Sequence, residues 1–144
     1  MIAIFTLIWI LRRPIIGGYL GPLTMRGNNV YSVRKLWRIT KNCTPVTVKI
    51  TDLENNLNEK NWEVDGIAVT PASILLSRTS HHIADIENAD LSYPIIVYNN
   101  DVIDGLHRLC KAKLAGATTI SAVIIDKKML MRARIGDRTA WPTA

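Results

Sequence analysis

Only two cysteines, Cys43 and Cys110, occur in the chain, and no C-x-x-C pair is present. A disulfide framework, a cysteine-based zinc knuckle and a thioredoxin-like redox centre are thereby excluded as expectations, and a reducing, cytoplasmic setting is the default. Long apolar runs are also missing. The longest, "IAIFTLIWIL" at residues 2–11, meets Arg12-Arg13 at once. As a helix it would cover about 15 Å, half of a bilayer core. No positive charge precedes it and no small-residue cleavage pattern follows, so neither a secretory signal nor a stable membrane span is expected. Acidic side chains are absent from residues 1–41, and no internal repeat or low-complexity tract appears.

What is there divides along the chain. Residues 1–41 carry seven basic side chains; residues 42–126 carry six basic and eleven acidic ones; residues 127–144 carry five basic and one acidic, for a total of +6. Basic ends therefore flank a mildly acidic middle. Composition changes abruptly near Met25, from apolar and Gly/Pro-rich to polar, so residues 1–25 are expected to be a dispensable extension with Met25 as the true first residue. Residues 26–41 form a basic lead-in segment carrying Tyr31 and Trp37, a mixture that suits nucleic-acid backbones or membrane surfaces. It equally describes an amphipathic helix packing Val33, Leu36 and Trp37 on a domain. Residues 42–126 are read as the domain and residues 127–144 as a basic C-terminal tail.

Within the domain, "VTVKI" alternates as a half-buried strand. "TDLENNLNEKNW" reads as a short, asparagine-weakened helix capped by Thr51 or Asp52, and Asp65-Gly66 as a turn before "IAV". Thr70-Pro71 is a helix start, a capping hydroxyl followed by proline in the first turn. Ser80 caps a second short helix with Ile83, Ile86 and Ala89 on one face. Residues 94–103, "PIIVYNNDVI", predict a hairpin. "LHRLCKAKLAG" places Leu106, Leu109, Cys110 and Leu114 at helical spacing and stops at Gly116. "TTISAVII" is a last strand, "KKMLMRAR" a basic helix, and "GDRTAWPTA" has no regular pattern. The expected fold class is α/β (mixed α+β): a compact domain with a small mixed sheet flanked by helices.

The segment "DVIDGLHRLC" at residues 101–110 carries the chemistry. It puts Asp104 and Gly105 at a sharp strand-to-helix turn, where Gly105 tolerates a backbone conformation closed to other residues and lets a ligand approach. The first N–H groups of the following helix have no intrahelical partner and lie at the positive end of its dipole, an anion site. His107 and Arg108 in the first turn add donors suited to phosphate. Cations there oppose the dipole by about 0.3–1 kcal/mol each unless an anion is near. Asp104 could hold magnesium or accept a hydroxyl proton. The plainer alternative is that Asp104 caps the helix and Arg108 pairs with a surface acid.

The run "YPIIVYNNDVIDGLHRLCKAKLAGATTISAVII", with "VTVKITDL" and "TPASIL…HHIADIENADLSYPII" before it, resembles the ParB/sulfiredoxin superfamily, in particular small members bearing a D-G-[ML]-H-R motif. The likeness covers roughly residues 46–126. It implies a nucleoside triphosphate (ATP or CTP) with Mg2+ as cofactor, phosphates held at Gly105, Leu106, His107 and Arg108, and Asp104, His107 and Arg108 as catalytic residues of an NTPase or phosphotransferase. Sulfiredoxins carry a reactive cysteine where Leu106 stands here, so sulfinic-acid reduction is not implied. Full partition proteins are too long to match, and Leu106 and His107 replace their Glu and first Arg. Free-serine kinases of the superfamily share the positions of Asp104, Gly105 and Arg108.

His82 matches a histidine of the D-G-[ML]-H-R relatives, which implies a substrate contact near the phosphate turn. Without that likeness, His81 and His82 read as exposed histidines at a helix start. Asp90, and Glu87 beside it, are further candidates for a substrate or metal contact. The function expected first is nucleotide binding with hydrolysis or phosphotransfer. The alternative is a nucleic-acid-binding or nuclease module that grips through its basic ends.

Overall fold

The structure, a computed structural model, describes residues 21–78 and 80–140. In chain order the strands and helices are β1 (Leu23–Arg26), β2 (Asn29–Ser32), α1 (Val33–Thr40), β3 (Val46–Lys49), a 3-10 helix (Ile50–Leu57), β4 (Trp62–Val64), β5 (Ile67–Val69), α2 (Pro71–Ser77) and α3 (His82–Glu87). There follow β6 (Ile95–Tyr98), β7 (Asp101–Asp104), α4 (Leu106–Leu114), β8 (Thr119–Ile124), α5 (Lys127–Arg132), β9 (Arg134–Asp137) and a 3-10 turn at Arg138–Ala140. The class is mixed α/β, and the described residues fall into two units: residues 44–124, and residues 21–43 together with 125–140.

The 44–124 unit is built on a sheet of order β3-β8-β6-β7. β3 and β7 are antiparallel edges, while β6 and β8 run parallel. A parallel pair needs a crossover, and α4 supplies it, laying Leu106, Leu109, Cys110 and Ala112 into the core with Ile95, Val97, Val102 and Ala122. The hairpin loop between β6 and β7 is Asn99-Asn100, at φ of 50° and 61°; two left-handed residues are what a type I′ loop requires, and asparagine tolerates that region. Thr70 caps α2 as expected, accepting the Ser73 N–H; Ser80 accepts the His82 N–H, but the N-cap of α3 is His81 and not Ser80.

"TDLENNLNEKNW" is where local reading falls short. The helix starts earlier than Thr51 or Asp52 would cap it, from Lys49 with no side-chain cap, and it winds as a 3-10 helix. Ile50, Leu53 and Asn56 recur every three residues and are buried with Leu57, matching a three-residue turn. The Ile50 N–H goes to the Thr118 carbonyl. Asn56, which weakens the helix on propensity grounds, is a core clamp. Its Nδ2 donates to the carbonyls of Leu53 (3.0 Å) and Asn100 (2.8 Å), and its Oδ1 accepts the N–H of Val102 (2.9 Å). These bonds fasten the helix to the β6–β7 hairpin that delivers Asp104. Asn56→Ala removes three buried or part-buried hydrogen bonds at once, including the acceptor of the Val102 N–H, and is expected to cost about 2–3 kcal/mol. Faster hydrogen exchange at Val102, as well as a lower unfolding midpoint, distinguishes this from a general loss of packing.

The second unit corrects the reading of the two basic ends as separate arms. β2 pairs antiparallel with both β1 and β9, so residues 134–137, which span the expected end of the basic helix and the start of the patternless tail, form a strand against the lead-in segment. Ser32 and Asp126 cap α1 and α5. The composition boundary at Met25 is not a boundary of the fold: Leu23 and Thr24 pair with Ser32 and Tyr31, and the Pro22 carbonyl accepts the Val33 N–H. Residues 1–20 lie outside the described residues. Val33 and Leu36 are buried as expected, but Trp37 is half exposed. Among the described residues, no helix is long and apolar enough to cross a membrane.

Candidate functional site

β7 ends at Asp104, and α4 opens from Gly105 at φ 106°, with no side-chain cap. A Cβ there would stand 2.5 Å from Ile95 Cγ2 and 2.7 Å from Arg108 Nη2. Glycine is thus required twice, by conformation and by space. Gly105→Ala is expected to destabilise the 44–124 unit by about 2–3 kcal/mol, combining left-handed backbone strain with overpacking. Thermal unfolding of the variant checks this, and an unchanged midpoint would show that the turn has another conformation.

The predicted residues do not all converge. Arg108 Nη2 donates to Asp104 Oδ2 at 3.1 Å, so one oxygen of the carboxylate expected to hold magnesium is engaged by a cation four residues along the chain. Leu106 is in the core and brings only its backbone to the turn. Asp90 is turned onto its own loop, where Oδ1 accepts the Ser92 N–H and hydroxyl. Those bonds, the hydroxyl's first, hold its carboxyl below the usual range, and the nearby charges of Lys111 and Arg108 act in the same direction. Lys111 Nζ lies nearby, donating to the carbonyls of Glu87 and Ala89. Cys110 is buried, and burial pushes its thiol up to about 12, so it packs as a small hydrophobe.

His82 and His107 do converge. The exposed reading of His82 fails, because its side chain is 0% exposed. Its Nδ1 lies 3.1 Å from His107 Nε2. Both imidazoles lie flat on Trp62, at centroid distances of 4.3 and 4.7 Å. The two rings are only 5.4 Å apart, too close to sit on opposite faces of the indole, so they lie side by side on one face. Trp62 comes from β4 and is itself buried. His81 leans on His82 at 4.9 Å. Desolvation, first, lowers His82 to about 3 and His107 to about 4 from 6.5; the cationic neighbour Arg108 adds to the shift of His107. The pair is therefore neutral at pH 7. His107 is then not the charged phosphate donor that its place in the first helical turn suggested.

Asp85, one helical turn after His82 on α3, completes the group: its Oδ2 is 3.9 Å from His107 Nε2. That oxygen is buried and has no hydrogen-bond partner among the described residues; the same holds for Trp62 Nε1 and His81 Nε2. Sequence reasoning missed Asp85 and Trp62. The i, i+3 spacing of His82 and Asp85 was a legible signal, whereas the Trp62 floor is a tertiary contact with none. Comparison with family models, curated proteins and solved structures finds no match to this chain.

Proposed function

We propose that the 44–124 unit binds a nucleoside triphosphate through its phosphates at the turn Asp104–Arg108, and hydrolyses it or passes on a phosphoryl group. The observation that carries this reading is the left-handed Gly105 opening α4 with no side-chain cap, beside a guanidinium in the first turn. Uncapped amides and a helix dipole attract an anion, and Arg108 offers a two-pronged partner for phosphate. Arg108 has to exchange Asp104 for the ligand, so Asp104 is a competitor held in reserve. His107 contributes its backbone N–H rather than a positive charge. The likeness to the ParB/sulfiredoxin superfamily supports the same ligand class. Leu106 at the reactive-cysteine position and the inert Cys110 argue against sulfinic-acid reduction.

Calorimetric titration of the full chain with ATP, CTP and GTP, each with and without magnesium, tests the reading. Binding of at least one is expected, weakened on the order of tenfold or more by Arg108→Ala, since a hydrogen bond to a charged group contributes about 1.5–3 kcal/mol. Asp104→Asn should tighten it in magnesium-free buffer. Absence of heat with all three nucleotides removes the proposal.

A second reading rests on the other unit. Its described residues hold ten basic and two acidic side chains, and Arg34, Trp37 and Arg38 of α1 with Lys41 at its C-cap, all exposed, fall at i, i+3, i+4 and i+7 along one face. Such a basic face with an aromatic suits a nucleic-acid backbone. Binding to duplex DNA would then weaken by roughly 0.9 log unit per log unit of salt for each phosphate contacted. Salt-independent affinity, or none, excludes it.

A further inference from the structure

From the geometry of His82, Asp85 and His107 we infer a binding site for one divalent transition-metal ion of the zinc class, held by His82 Nδ1, His107 Nε2 and Asp85 Oδ2. The inference stands on these three side chains and does not depend on nucleotide binding. Their donor atoms all lie within 4.8 Å of one another. The two nitrogens, 3.1 Å apart, subtend roughly 100° at an ion about 2.05 Å from each. With the ring centroids 5.4 Å apart they face each other head-on, so each ring must turn by about 40° to aim its lone pair at that ion. The carboxylate is a little far, because two ligands at that bond length span at most about 4.1 Å. It must swing inward by about 1 Å. Nothing among the described residues holds Oδ2 back, since that buried oxygen accepts no hydrogen bond.

The surroundings fit the task. Ligation uses the neutral form of an imidazole, and the two rings are enclosed, His82 being fully buried. A ligating histidine normally donates its other ring N–H to a fixed acceptor; the His82 ring is hydrogen-bonded to the Glu63 backbone carbonyl, which can only accept. We assign the His82 proton to that bond, leaving Nδ1 as a lone pair toward His107 Nε2–H. Metal binding then requires one proton to move from Nε2 to Nδ1 of His107, with no net release from the pair. Trp62 supports both rings from below, at 8° and 17° to the indole, with 24° between them. Two nitrogens and one carboxylate oxygen favour zinc, cobalt or iron over magnesium, which prefers an all-oxygen shell. Three protein ligands leave a fourth position for water or a substrate oxygen.

The test uses the full chain, stripped with chelator and titrated with Co2+ in nucleotide-free buffer. One equivalent should bind and give the visible bands of a four-coordinate cobalt ion, Zn2+ should displace it, and Mg2+ should not. His107→Ala is expected to weaken binding on the order of 100-fold or more, at least matching the loss seen when an outer-shell partner of a ligand is removed. Because removing a stacked ring can disturb folding, Asp85→Asn serves as the second variant. It keeps the shape of a partly exposed side chain while removing the charge, and should lower affinity at least tenfold with an unchanged circular dichroism spectrum. No cobalt uptake by the folded chain overturns the site, as does uptake whose spectrum and affinity are unaltered in Asp85→Asn.

Discussion

Trp62→Ala is expected to be the most damaging single substitution in the 44–124 unit, lowering its stability by about 3–5 kcal/mol. Trp62 is 2% exposed and belongs to the main core cluster, so truncation opens a large cavity beside α4. It also removes the surface on which His82 and His107 are stacked, and offset ring pairs contribute about 0.5–1.5 kcal/mol beyond burial. Trp62→Phe separates the two effects. Its ring still supports the imidazoles, and since Nε1 has no hydrogen-bond partner among the described residues, no such bond is lost. A cost of about 1–2 kcal/mol is expected there. Hydrogen exchange of amides in β6 and α4, in increasing denaturant, reads the 44–124 unit separately from the other. Equal costs for Ala and Phe would mean that a retained aromatic ring recovers neither packing nor stacking at this position, which would contradict the account.

The second large effect is acid sensitivity of the metal-free chain. His82 and His107 have folded values of about 3 and about 4, below the unfolded 6.5. The unfolded chain therefore takes up protons first as pH falls. Their contribution to stability is fully present above about pH 6.5, and it is lost as pH drops toward 4, each ring supplying up to about 1.4 kcal/mol per pH unit in that window. The charged and titratable groups facing the pair are Asp85 from α3, Arg108 from α4 and His81. Asp85 favours the protonated form of its neighbour, yet desolvation is the largest cause for both rings. Denaturant midpoints measured between pH 7 and 4.5 in chelator should fall steeply, and His107→Gln should flatten the slope. A flat profile across that range would show that both rings titrate as if exposed.

Elements whose cues are local were readable before the fold was known. Thr70-Pro71, Ser80, Asn99-Asn100, Gly105 and Gly116 are chain signals that act within a few residues, and the α4 spacing is a one-dimensional pattern. Pairings across distance were not readable. β9 forms only because β2 lies beside it, and Asn56 counts as a core residue only once the Asn100 carbonyl and Val102 N–H are brought to it. At the site, the D-G-L-H-R segment located the right turn, but it could not say which way its side chains face. Arg108 closes on Asp104, four residues back on the chain, while His107 turns toward β4 and α3. The partners that decide its chemistry, Trp62, His82 and Asp85, stand 22 to 45 positions earlier and are joined to it only by the tertiary packing.

Nitrogen-15 spectra of the imidazole rings test the central claim, that His82 and His107 form one neutral, mutually bonded pair on Trp62, more directly than any mutation. In metal-free protein at pH 5.5, both rings should remain neutral, each in a single tautomer, with a proton-mediated coupling between His82 Nδ1 and His107 Nε2. Two rings that are substantially protonated at that pH, or that exchange freely between tautomers, would contradict the account.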